Sequence, residues 1–367
     1  MTVRIATFNT ENLFRRPRVF ALEDVEKRQQ TLEDFATLVS LLDHETYTAE
    51  DKNHIIEILQ KYDVPDSQSK TRPILVNETR GGAKLFKSGR GGVIEITAKG
   101  RAGWVGWAEL VRDDLDWEAV RNTARVIAEV DADVLLTVEV EDRLALHRFN
   151  EQVLADVMGA KRYPFNMLID GNDSRGIDVG LFSRRPITSI RSHIFDTKAG
   201  RTIFSRDCPE FEVELKGGKP LWILGNHFKS KGFGSAGASA TRRKLQAERV
   251  KDIYKAALRR SASVVVAGDL NDTPDSEPLA FLLDAGLQDA MTHISYTGAP
   301  GTFATGQSLK QKFDYLMFSP DLWEQVQAVE VERRGIWAPR TFKSFDTVTS
   351  KANRASDHAA LYADLDM

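Results

Sequence analysis

The stretch that most constrains the fold is Val264-Val265-Val266-Ala267-Gly268-Asp269-Leu270-Asn271-Asp272-Thr273-Pro274. Its apolar, β-branched run reads as a strand buried on both faces, a position that only the interior of a sheet provides. The polar tip reads as the loop where that strand leaves the sheet. Asp269 and Asn271 are two apart, so on extended chain they share a face. One is an ionised acceptor, and the other both accepts and donates. That pairing suits a site handling a phosphate together with a cation or a water. The plainer alternative is a strand followed by an Asx turn closed by Pro274.

Other strand-like runs end the same way. Val3 to Phe8 leads into Asn9-Thr10-Glu11-Asn12. Ala132 to Val138 delivers Glu139, Glu141 and Asp142. Leu221 to Leu224 runs into Asn226-His227-Phe228-Lys229-Ser230-Lys231. Lys312 to Pro320 carries one acid, Asp314, in an apolar pattern, and Asp357 and His358 stand together at the start of the last strand. A buried carboxylate is costly unless paired or bound to metal. Glu139 follows its run closely enough to be partly buried. It is therefore a better ligand candidate than Glu141 or Asp142, which are expected to reach solvent. Asp314 needs a partner, and orienting a histidine is one use for it. A histidine beside cationic groups, as at His227, suits phosphoryl chemistry, although structural hydrogen bonding is the plainer role for one seen alone.

Residues 15 to about 110 read as an insertion that covers or edges the main site. Thr31 to Leu42 and Ala49 to Tyr62 carry helical periodicity, with Thr48 placed to cap the second. Ala83 to Phe86 and Val93 to Thr97 look like short strands between Gly-rich turns, Arg80-Gly81-Gly82 and Arg90-Gly91-Gly92, with Trp104 and Trp107 near the base of the ribbon. No phosphate-binding G-x-x-x-x-G-K-[ST] pattern occurs. Beyond the insertion, Trp117 to Glu129 predicts an amphipathic helix and residues 239 to 260 a long basic one.

Composition narrows the function classes. At 367 residues with 42% hydrophobic content, the chain can build one large domain or two. A net charge of −3 gives no global attraction to nucleic acid or membrane. The charge is nevertheless uneven. Residues 70–101 hold eight Lys/Arg against two Asp/Glu, and residues 227–260 hold ten against two. Such a surplus suits a polyanionic or phosphate-bearing ligand, while a solvated helix face is the plainer account of Arg242 to Arg260. The single cysteine, Cys208, excludes an intramolecular disulfide and any multi-cysteine metal site. The N-terminus lacks the apolar core of a signal peptide, and no run approaches the roughly 18 apolar residues of a membrane span. The expectation is a soluble, cytoplasmic protein.

The ordered set Thr7-Phe8-Asn9-Thr10-Glu11-Asn12, Val138-Glu139-Val140-Glu141, Asn226-His227-Phe228-Lys229, Gly268-Asp269-Leu270-Asn271-Asp272, Phe313-Asp314-Tyr315 and Ser356-Asp357-His358 resembles the endonuclease/exonuclease/phosphatase superfamily. That group includes AP endonucleases, pancreatic deoxyribonuclease, inositol-polyphosphate phosphatases and neutral sphingomyelinases. The resemblance implies an α/β fold, a four-layer α/β/β/α sandwich of two mainly antiparallel sheets with the site at one edge. It implies a divalent-metal-dependent phosphodiester hydrolase with Mg²⁺ or Mn²⁺ held by Glu139, Asn9 and Asp357. By the same resemblance, Asp269 and Asn271 orient water and phosphate, and Asp314 orients His358, which holds a phosphoryl oxygen or acts as base. His227 stabilises the transition state or protonates the leaving oxygen, and Lys229 adds charge near the phosphate. The pattern departs from the family at Val138, where a Gln is usual, and in the insertion after Asn9. Nucleic acid is the expected substrate. A small or lipid phosphoester is the alternative, and a non-catalytic phosphate-binding scaffold a third.

Overall fold

Val264 and Val266 pack against helices, while Val265 and Ala267, on the opposite face of the same strand, pack against a second sheet. This period-two division of an apolar run is what makes the fold layered. The structure, a computed structural model, describes residues 2–11, 13–22, 24–66, 69–89, 92–173, 175–231, 236–305 and 308–367. These form two compact units, Arg15–Asp114 and the remainder of the described chain.

Twelve strands of the larger unit form its two large sheets: β1 (Thr2–Asn9), β2 (Val134–Val140), β3 (Phe165–Leu168), β4 (Asp178–Ser183), β5 (Ile187–Arg191), β6 (Glu210–Glu214), β7 (Pro220–His227), β8 (Val264–Asp269), β9 (Gln288–Asp289), β10 (Asp314–Phe318), β11 (Val326–Glu332) and β12 (Ala360–Asp366). One six-stranded sheet has the order β11-β12-β1-β2-β4-β3, the other β5-β6-β7-β8-β10-β9. Each sheet is antiparallel except for one central parallel pair, β1 with β2 and β7 with β8. Val3, Leu136, Val179, Phe211, Ile223 and Leu316 are among the side chains that fill the space between the sheets. On the outer face of the first sheet lies helix α1 (Trp117–Val130), packing Val120, Ala124 and Ile127 on Ala6, Phe8 and Leu135. Asp116 caps it by accepting from Glu118 N. On the outer face of the second lies α2 (Ala236–Leu258), packing Ala247, Val250 and Tyr254 on Trp222, Leu224 and Val266. The result is the four-layer α/β/β/α sandwich.

In the smaller unit, the first helix runs from Val25 to Leu42, starting earlier than the periodicity indicates because Asp24 accepts from Glu26 N and Lys27 N. Thr48 and Asp51 close a capping box on the second, Ala49–Lys61. The ribbon strands are Phe86–Gly89 and Gly92–Ile96; Arg90 and Gly91 of the expected turn lie outside the described residues. A further pair, Ile74–Glu78 with Gly106–Leu110, was not legible as strands. The two tryptophans part company. Trp104 is buried and donates to Tyr47 Oη at 2.9 Å, whereas Trp107 is exposed.

A polar clamp ties the segment after β5 to β6 and α2. His193 Nδ1 lies 2.9 Å from Asp196 Oδ2 and Nε2 lies 3.0 Å from Glu210 Oε1, with Arg249 and Arg260 on the same two carboxylates. Burial opposes charge on this ring, but Glu210 and Asp196 hold its pKa above the ordinary value. A raised folded value means the stabilisation is complete below the unfolded pKa of about 6.5 and is lost as pH rises through the folded value. His193→Gln is therefore expected to cost roughly 1.5–3 kcal/mol in mildly acidic buffer, and less as pH rises, in urea melts over a pH series. A pH-independent cost would show the ring to be neutral.

Candidate active site

The register of the second sheet sets the site. His227 pairs with Asp269 across β7 and β8, and Asp269 pairs with Asp314 across β8 and β10. Paired residues project to the same face, so an imidazole and two carboxylates stand abreast at one sheet end. Gly268 permits the close approach that this needs. Its φ is +125°, and a Cβ there would lie 2.0 Å from the Asn226 carbonyl oxygen.

The first sheet meets this row from across the sandwich. Asn9, buried at the end of β1, donates from Nδ2 to Asp269 Oδ2 at 3.1 Å. Glu139 Oε1 lies 3.7 Å from His227 Nε2, which is 3.9 Å from Asp269 Oδ2. Glu139 sits at φ +64°, where the pairing of β4 with β2 slips between Asp178 and Val179. The bulge turns this side chain out of the strand pattern, at about 1–2 kcal/mol for a left-handed non-glycine residue. Burial, and then the negative charge of Asp357, push the Glu139 carboxyl pKa upward.

His358 completes the row. Its Nδ1 is 2.8 Å from Asp314 Oδ2, its Nε2 is 3.8 Å from Asp269 Oδ2 and 3.9 Å from Asp357 Oδ1, and its ring lies against Phe303 with centroids 4.7 Å apart. Burial opposes protonation, yet Asp314 and Asp269 hold the ring well above its usual pKa, which favours the imidazolium form. Burial pushes Asp269 up to about 7, against the pull of His358. His227 goes the other way: burial and the guanidiniums of Arg206 and Arg175 hold it well below the usual value. Its Nδ1 is 3.2 Å from the Ile177 carbonyl oxygen. A neutral ring in that position carries its proton on Nδ1 and leaves Nε2 an acceptor toward Glu139 and Asp269.

A divalent cation fits the donors of the first sheet. Glu139, Asp357 and Glu11 are carboxylates whose mutual repulsion already strains the protonation of Glu139, and they are hard oxygen ligands. Arg354 offsets part of that charge, donating from Nε to Glu11 Oε2 at 2.9 Å and lying 3.2 Å from Asp357 Oδ2. Asp269, Asp314 and His358 also bring ligand atoms within 4.8 Å of one another. There, however, Asp314 Oδ2 is already engaged by His358 Nδ1 at 2.8 Å, which leaves fewer free oxygen ligands for a hard cation. The carboxylates around Glu139 are the better match.

The family profile described as "Endonuclease/Exonuclease/phosphatase family" matches residues 113–358. The chain belongs to this family. Members of the endonuclease/exonuclease/phosphatase family hydrolyse phosphoesters and typically depend on metal, and this chain is a phosphoesterase of that superfamily. The comparison with curated proteins finds no match. Among solved structures, the chain is similar to a beta toxin from Staphylococcus aureus (20% identity, TM-score 0.49, covering 67% of this chain and 92% of that one). It is similar to an endonuclease/exonuclease/phosphatase family protein from Bacteroides thetaiotaomicron (16%, 0.48, 68% and 90%). It is also similar to the catalytic domain of human nocturnin (19%, 0.46, 69% and 87%).

The structure thus brings Asn9, Glu139, His227, Asp269, Asp314, Asp357 and His358 to one end of the sandwich and corrects two readings. Asn271 does not share an extended face with Asp269. It lies at φ +50°, its N–H donates to Asp269 Oδ1 at 2.8 Å, and its Nδ2 donates to the Phe228 carbonyl at 3.2 Å, so the Asx turn prevails. Glu141 does not reach solvent; it is buried and accepts from Phe14 N at 2.8 Å. Asp142 caps a helix by accepting from Ala145 N. Asn12 lies outside the described residues. Val138, in the position of the family's usual Gln, packs between the sheets. The residues that sequence reasoning missed are Glu11, Arg354, Asp173, Arg175 and Arg206. Only Glu11 lay inside a motif, and the others gain meaning through partners distant in sequence or hidden by burial.

Proposed function

We propose that this chain is a divalent-metal-dependent phosphodiester hydrolase acting on nucleic acid. The observation that carries the reading is the junction of the two sheets, where Glu139, His227, Asp269 and His358 stand within 4 Å of one another in a continuous chain of contacts. Glu139 and Asp357, with Asn9 beside them, would hold Mg²⁺ or Mn²⁺. When bound, the cation supplies Lewis-acid stabilisation of charge on phosphoryl oxygens. Asp269, with a pKa near neutrality, is suited to take the proton of an attacking water. Asn9 Nδ2 fixes one of its oxygens and the Asn271 N–H the other, so the carboxylate cannot rotate. The His358 imidazolium donates toward a non-bridging oxygen and is kept charged and oriented by Asp314. His227 Nε2, 3.9 Å from Asp269 Oδ2, would take up the proton that Asp269 removes from the water and pass it to the leaving oxygen.

The test is a substrate panel of plasmid, linear DNA, RNA, an abasic duplex and small diesters, each with Mg²⁺, Mn²⁺ or chelator. Hydrolysis of a nucleic-acid substrate is expected with either ion and is expected to stop with chelator. Binding should weaken steeply as salt rises, because phosphate contacts release counterions. Hydrolysis confined to small diesters with a flat salt response would move the assignment to a small or lipid phosphoester.

A further inference from the structure

Beside His227 lies a second concentration of charge, of the opposite sign to the acids that face the metal. Asp173 is shared by two buried guanidiniums: Arg175 donates to it from Nε at 2.8 Å, and Arg206 Nε lies 3.2 Å from its Oδ2. Arg206 also donates to the Phe228 carbonyl at 3.2 Å, the oxygen that Asn271 Nδ2 contacts, which places it directly behind the Asp269 turn. Lys229 follows in the same segment. Its N–H donates to Gln246 Oε1 at 2.9 Å and its carbonyl accepts from Arg243 at 3.1 Å, so the first turns of α2 grip the backbone on either side of the ammonium. Arg243 and Lys231 are both engaged by Asp272. Arg242, the next residue along α2, is half-buried, acts electrostatically on Lys229 and makes no hydrogen bond or ion pair among the described residues. Burial, then Arg175 and Arg206, pull the Lys229 ammonium down to about 8. Glu139 and Asp269 also face the guanidiniums, but in the reading above both are engaged at the reaction centre.

A cationic wall this far from charge balance is costly unless an anion completes it. Guanidinium forks and an ammonium match phosphate oxygens, and the same wall repels a quaternary ammonium headgroup. We propose that Lys229 and Arg242, backed by Arg175 and Arg206, form a subsite for a second phosphate, the one adjoining the scissile diester. The inference rests on the phosphodiester-hydrolase reading and sharpens it. The preferred substrate is a diester flanked by another phosphate, as along a nucleic-acid strand, rather than an isolated or choline-bearing diester.

The experiment compares thymidine dinucleotides with and without a terminal phosphate, at either end, against bis(4-nitrophenyl) phosphate. Wild-type protein and the Arg242→Ala and Lys229→Met variants are each checked for an unchanged melt. With Mg²⁺, wild type should hydrolyse a terminally phosphorylated dinucleotide with kcat/KM at least about tenfold above the plain one, mainly through KM, and both variants should lose most of that ratio. In chelator, calorimetry should show the same tenfold order of preference in binding and the same loss. Equal handling of the two dinucleotides by wild type would overturn the subsite. So would variants that slow every substrate to the same extent, since the cations would then act on the scissile phosphate. Failure to cleave any diester would instead sink the hydrolase reading, and binding in chelator would still decide the subsite.

Discussion

Glu139→Gln is expected to lower turnover of a phosphodiester by at least about 10²-fold while leaving the thermal melt intact, and His227→Ala and His358→Ala are expected to lower turnover as much while the protein stays folded. Glutamine keeps the size and the left-handed backbone of Glu139 but removes the charge facing Asp357 and Glu11, so it weakens cation binding without unfolding the bulge. For His358, alanine deletes the donor that Asp314 orients and leaves a buried carboxylate without its imidazolium. For His227, alanine removes a side chain that lies within 4 Å of both Glu139 from one sheet and Asp269 from the other. The measurement is steady-state hydrolysis of a small diester at saturating Mg²⁺, beside a melt of each variant. Near-normal turnover in all three would remove the junction from the chemistry.

Asp173→Ala is expected to destabilise the fold by about 3–5 kcal/mol, read as a large shift in the chemical-denaturation midpoint. Asp173 is the shared counter-ion of two buried guanidiniums, and those partners hold its carboxyl well below the usual range even though burial opposes them. Its loss leaves two buried cations facing one another. Adding Arg175→Met and Arg206→Met to Asp173→Ala should recover much of the lost stability, because an apolar set of similar volume no longer carries the desolvation cost. A loss below about 1 kcal/mol in the single variant would mean that solvent or another group already compensates the guanidiniums.

The legibility of the sequence varied by residue for physical reasons. Glu139, Asp269 and His227 were readable because each follows an apolar run, and a polar group at the end of a buried strand has to have a partner. Asp269 with Asn271 was readable as a pair but misread in geometry: spacing alone cannot distinguish an extended strand from a left-handed turn closed by the Asp269 carboxylate. Glu141 reads as solvent-facing because local pattern carries no record of Phe14, whose N–H it satisfies across the fold. Arg206 belongs to none of the sequence motifs, yet it is buried against Asp173 and the Phe228 carbonyl.

From the sequence by itself came the layered α/β architecture, the polar strand ends and the ordered motifs of a phosphoesterase family, since strand periodicity and residue chemistry are local properties. The register that sets His227, Asp269 and Asp314 abreast, the opposite directions in which the two histidines are shifted, and the sharing of Asp173 between two arginines were decided only by the tertiary structure. Each depends on distances between side chains far apart along the chain, and packing the two sheets face to face is what fixes those distances.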